Sequence, residues 1–146
     1  MSAATATAAN IRSHGWHCVM VAPEAEGEEA FAYTIGLAER FGQPEVLVFG
    51  LPEASAHALL ARCVALAEAG QRLAAGERGD LLGGGYRVRL APLRADRYGE
   101  YLGTAFRHYG ERPFQALVLL WPDREGRFPG EVGYAGAGQH EAAAAI

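Results

Sequence analysis

The chain is 146 residues long, 50% hydrophobic and 21% charged, with a formal net charge of −4. That length favours one domain with an ordinary core that needs neither disulfides nor metal, and the acidic balance gives no nucleic-acid footprint. All 13 basic residues are arginine, which removes Schiff-base, P-loop and kinase-type lysine chemistry together.

In chain order, residues 1–10 are small and Ala/Thr-rich, and are expected as a frayed tail or a short helix ending near Gly15. They carry no basic n-region and no Leu-rich h-region, so they do not read as a signal peptide and the expected address is cytoplasmic. No stretch free of Asp, Glu, Lys and Arg exceeds 11 residues, against the roughly 18 that a spanning helix needs. Trp16 to Ala22 is apolar and partly β-branched, the pattern of a strand. An acidic turn over Glu24 to Glu29 leads into Phe31 to Gly36, which alternates Phe31, Tyr33 and Ile35 against Ala32, Thr34 and Gly36. Glu45 to Gly50 is apolar on both faces after its first residue and predicts a central strand. Pro52 and Glu53 then open a helix whose stripe is Ala56, Leu59, Leu60, Cys63, Val64 and Ala67, ending near Gly70. Residues 74–85 are Gly-rich and charged, hence a loop, and Tyr86 to Leu90 alternates as a half-exposed strand. Asp96 opens a second helix carrying Tyr98, Tyr101, Leu102, Ala105, Phe106 and Tyr109, closed by Gly110. Phe114 to Trp121 is a buried strand, and residues 135–146 form a loose C-terminal tail.

The order β-β-β-α-β-α-β predicts a single α+β domain over 1–146, with a five-stranded mixed or antiparallel sheet and two main helices packed on one face.

Few groups can carry chemistry. Trp121-Pro122-Asp123 resembles the acid loop of protein tyrosine phosphatases, but the sixth residue after Cys63 is Ala69 and after Cys18 is Glu24, so no Cys-x5-Arg loop exists. His14-Gly15-Trp16-His17 lacks further ligands at zinc-like spacing, and no metal or cofactor is expected. Glu45 stands out, a carboxylate opening an apolar strand. It is expected to be mostly buried, within about 10 Å of Thr34, and satisfied by Arg40 or a backbone N–H, because a bare buried carboxylate is too costly. The candidate pocket therefore collects Trp16, His17, Tyr33, Thr34, Arg40 and Glu45, with Asp123 and Arg124 arriving from the last strand's exit.

Four segments carry a wider resemblance: His14 to His17, Phe31 to Leu37, Pro44 to Pro52, and Trp121-Pro122-Asp123 through Phe128-Pro129. On these the chain resembles the bacterial family catalogued as domain of unknown function 4262, from about Ile11 to Tyr134. Gln43 stands where a His commonly precedes Pro-Glu in that family, and Gly130 where a Trp is common. The resemblance implies no activity, cofactor or catalytic set. A shorter one, Tyr33 to Leu37 with a strand motif of Suppressor-of-fused-like domains, points toward protein binding. The leading expectation is thus a non-catalytic cytoplasmic module that binds a protein, a second copy of itself or a small ligand. The alternative is a small-molecule enzyme centred on Glu45, Thr34 and Tyr33, and neither involves nucleic acid or a membrane.

Overall fold

The computed structural model describes residues 3–146, with side chains over 6–146; Met1 and Ser2, the start of the expected N-terminal tail, lie outside the described residues. The chain runs α1 (Ala3–His14), β1 (His17–Val21), β2 (Phe31–Ile35), α2 (Leu37–Phe41), β3 (Glu45–Phe49) and α3 (Glu53–Glu68). It continues through β4 (Gly76–Arg78), β5 (Val88–Pro92), a 3-10 turn (Ala95–Arg97), α4 (Tyr98–Tyr101), α5 (Gly103–Tyr109), β6 (Ala116–Leu120) and α6 (His140–Ala145). The helical alternative for the N-terminus is therefore the one adopted.

The strands form one mixed sheet in the order β1-β2-β3-β6-β5-β4. β1, β2 and β3 make an antiparallel meander, β3 and β6 pair in parallel, and β5 runs antiparallel to both β6 and β4. Six strands form where five are expected. The additional one, β4, is three residues from the Gly-rich stretch read as a loop, with no alternation to betray it. It is held by pairing Gly76 to Leu90, Glu77 to Arg89 and Arg78 to Val88, and by the Arg78–Asp80 ion pair at 2.8 Å.

The helices cover both faces of the sheet, not one. β2, β3 and β6 carry apolar side chains on both sides, so each face needs its own cover. On one face, Val46, Val48, Leu117 and Leu119 pack beneath α3. The six residues of the predicted α3 stripe are its six buried positions. On the other face, Tyr33, Ile35, Leu47, Phe49, Val118 and Leu120 pack beneath α1, α4, α5 and α6.

Two further expectations give way. The helix predicted from Asp96 breaks at Leu102 (φ −106°, ψ 33°) into α4 and α5. Gly99 and Gly103 flank the break, and each weakens a helix interior. The C-terminal segment is not loose: Ala142 and Ala145 of α6 are fully buried, and the Arg94 N–H donates to the Ala145 carbonyl at 2.8 Å. An Ala-only face carries little hydropathy signal, yet small side chains are what allow this helix to lie close against the sheet. No helix of the described residues is long and apolar enough to cross a membrane.

Candidate functional site

The residues singled out in the sequence separate into two groups, at opposite ends of the parallel pair β3 and β6. The five residues of β3 span about 13 Å between them.

At the first end the β2–β3 ladder stops at Tyr33–Leu47. Beyond it, the Thr34 hydroxyl accepts from the Val46 N–H at 3.0 Å and donates to Glu45 Oε1 at 2.8 Å, taking the place of a ladder carbonyl. Gly36, at φ 130°, swings the chain into α2 with 3.2 Å between its hypothetical Cβ and the Gly15 carbonyl. This turn aims three successive N–H groups at the carboxylate. Leu37 donates to Oε1 at 3.2 Å, and Gly36 and Ala38 donate to Oε2 at 3.2 and 3.0 Å. The Tyr109 hydroxyl, at the end of α5, also donates to Oε2 and itself accepts from the Gly36 N–H at 3.1 Å.

Five donors thus converge on a carboxylate 1% exposed, which offers about four lone-pair sites. Burial pushes the Glu45 carboxyl above the ordinary carboxylate range, and the hydrogen bonds from Tyr109, Ala38, Thr34 and Gly36 pull against it. Burial and then the Glu45 charge push the Tyr109 phenol far up, keeping it a donor. The chemical consequence is saturation. A substrate hydroxyl or water would have to displace one of these donors to reach either oxygen.

The expected neighbours of Glu45 are placed differently. Thr34 is its partner, but Arg40 is not: its guanidinium donates to the Gly15 carbonyl at 2.9 Å and stacks over Phe41. Tyr33 is buried on the other face of β2. Burial raises its phenol, opposed by the Thr104 hydroxyl and the Ala105 and Thr104 N–H groups at the start of α5. His17 meets the Asn10 amide at 2.9 Å, and burial followed by the His108 charge holds it below the usual histidine value. Trp16 lies against the His57 ring at 5.2 Å. Tyr109 is the residue that sequence reasoning placed only on the stripe of the second helix, outside the candidate pocket. Its position on an apolar stripe gives no sign that its hydroxyl turns inward.

At the second end, the turns leaving β3 and β6 frame a groove of about 440 Å³, within the range of small-molecule sites. Leu51 follows β3, Ala58 and Arg62 stand on α3, Tyr86 comes from the β4–β5 connection, and Trp121 and Arg124 follow β6. The Trp121 indole is fixed, its Nε1–H donating to the Phe49 carbonyl at 2.9 Å. Its backbone is paired by the side chain of Gln139, which accepts from the Trp121 N–H at 3.1 Å and donates to its carbonyl at 2.8 Å. Gly50 permits this closure: a Cβ there would meet the Gly138 carbonyl at 1.9 Å.

Asp123 lies at the groove but faces its own loop. Oδ1 accepts from the Glu125 and Arg127 N–H groups, and Oδ2 from the Ala135 N–H, all at 2.9 Å. The Ala135 N–H foremost, with those of Arg127 and Glu125, holds its carboxyl below the ordinary range. Arg124, Arg62, Leu51 and Tyr86 complete the surroundings, of which only Asp123 and Arg124 were legible as candidates. A second hollow of about 600 Å³, lined by Gln43, Pro44, Arg72, Tyr98 and Phe114, lies at the opposite end of the sheet. Neither hollow is lined by Glu45, Thr34, Tyr33 or Tyr109, and no cluster of metal-ligating side chains occurs among the described residues.

In comparison with known proteins, a family model described as Domain of unknown function (DUF4262) matches residues 10–135, a span that includes both ends of the sheet. Neither the curated proteins nor the solved structures give a match.

Proposed function

The chain belongs to the family described as Domain of unknown function (DUF4262), and we propose that it is a binding module rather than a catalyst, with its ligand seated in the groove at the exits of β3 and β6. The observation that carries this reading is the contrast between the two ends. The buried acid that would anchor an enzyme is saturated by five internal donors. The groove offers a concave apolar wall set on rigid elements. Its position agrees with the rule that ligands of open α/β sheets collect beyond the carboxyl ends of parallel strands, here applied to the one parallel pair, β3 and β6. Two of the four sequence segments reach it, the Pro44 to Pro52 segment through Leu51 and the last segment through Trp121, Pro122 and Asp123.

A concave site of this size favours a small ligand over a protein surface or a second copy of the chain. A cytoplasmic setting agrees with the two free cysteines, Cys18 and Cys63. The test is a ligand-observed NMR screen of small organic compounds against the wild type, Ala58→Trp and Glu45→Gln. Ala58 is exposed on the groove wall, so a tryptophan there fills the groove without entering the core. Binding lost in Ala58→Trp and kept in folded Glu45→Gln supports the reading. Binding indifferent to Ala58→Trp, or turnover of a compound that Glu45→Gln abolishes, overturns it.

A further inference from the structure

We infer that the groove selects an aromatic monocarboxylate, a deepening that rests on the groove being the binding site. The aromatic part follows from the walls. Trp121 presents an indole held at both its ring nitrogen and its backbone, and Tyr86, 38% exposed, brings a second ring whose hydroxyl donates to the Arg124 carbonyl at 3.0 Å. Fixed rings offer a flat ligand contact area without the entropic cost of ordering a mobile side chain.

The anionic part follows from the charges left unmatched. Arg78 is paired with Asp80, Arg87 and Arg89 with Glu77, Arg94 with Asp96 and Arg97 with Glu100. Of the arginines that pair with no carboxylate among the described residues, Arg62 and Arg124 are the two that line the groove. Arg62 spends one N–H on the Leu81 carbonyl at 2.7 Å and keeps the others. The third charge at the groove, Asp123, is turned to the N–H groups of its own loop. Two guanidinium groups against one carboxylate leave a single net positive charge, which matches a monoanion and not a phosphate dianion. A planar guanidinium fork suits a carboxylate in geometry as well as in sign.

The experiment titrates the full chain with 2-naphthoate, neutral 2-naphthamide and naphthyl phosphate. Binding is read on the two tryptophan indole N–H resonances in a 15N-labelled sample. Trp121 reports the groove, and Trp16, packed on His57, is the internal control. The expected result is a saturable shift confined to Trp121, with the amide binding about tenfold or more weaker than the carboxylate. Arg124→Gln or Arg62→Gln should close most of that gap. If the amide or the phosphate ester binds as well as the carboxylate, or the arginine variants leave its affinity unchanged, the ligand class is overturned while the groove stands. If none of the three shifts Trp121 in the wild type, the ligand class is overturned; if a saturable Trp121 shift persists unchanged in Ala58→Trp, whose added side chain fills the groove, the groove reading falls with it.

Discussion

Glu45 shows how one side chain can replace several backbone interactions. Its carboxylate ends a ladder, seats the start of α2 and ties α5 to the start of the central strand β3 through Tyr109. Glu45→Gln keeps the shape but turns an amide N–H₂ toward groups that are themselves donors. A loss of about 3 kcal/mol in urea denaturation is expected, since buried donors left unsatisfied cost about 1–3 kcal/mol each. Tyr109→Phe removes one donor of five and should cost about half as much; equal losses, or none, would refute the network. Part of this was legible in the sequence, because a carboxylate opening an apolar strand has to find donors. Which donors was not legible, because Gly36, Ala38 and Tyr109 converge only through the turn into α2 and the packing of α5. His17 gives a second expectation. Burial, and then His108, hold its pKa below the usual value of about 6.5, so the folded protein binds fewer protons at His17 than the unfolded chain just below that value. Stability carried by neutral His17 is present above pH 6.5 and lost as pH falls through 6.5 toward the lower folded value. Comparing urea midpoints at pH 7.5 and 5.5, His17→Gln should narrow the difference; an unchanged difference assigns the acid sensitivity elsewhere.

At the scale of elements, what the sequence conveyed depended on whether hydropathy or pairing builds the element. The α3 stripe was legible to the residue because burial against a sheet repeats every three to four positions. β4 and α6 were not, because one is held by ladder hydrogen bonds and the other by close packing of alanines. α6 also borrows its cap from afar. Its own N-cap residue, Gln139, makes no side-chain cap and pairs with Trp121 instead. Glu29, just before β2, accepts from the N–H groups of His140 and Glu141 at 3.1 and 2.8 Å, while the Glu29 N–H donates to the Glu141 carboxylate at 2.8 Å. This is the reciprocal logic of a capping box, executed between segments more than a hundred residues apart. Glu29→Ala should therefore destabilise by about 1 kcal/mol and raise amide exchange over residues 140–145. Since Gln139 holds the groove wall, the Trp121 indole resonance should broaden in the same variant. Exchange unchanged in α6 would mean that packing alone retains the helix.

For the molecule as a whole, the decisive fact is that two apolar cores share three strands. β2, β3 and β6 send alternate residues to opposite faces: Leu47 and Phe49 to one core, Val46 and Val48 to the other, with Val118 and Leu120 opposite Leu117 and Leu119. Neither core can melt without exposing the back of strands that the other needs. The turn leaving β3 is also locked against the C-terminal segment at Gly50 and Gly138, so the two halves of the chain meet in both the sheet and the groove. A single cooperative transition follows, although α3 covers one face and α1, α4, α5 and α6 the other. Trp16 and Trp121 pack against the α3 core, whereas Tyr33, Tyr101 and Tyr109 lie in the opposite one. Urea curves from tryptophan fluorescence and from tyrosine ring NMR signals should therefore coincide. Leu60→Ala, at a fully buried site in the α3 core, should shift both curves by the same roughly 2–5 kcal/mol. Two separated transitions, or a Leu60→Ala shift visible only to the tryptophans, would show that the faces unfold independently and that the shared strands do not couple them.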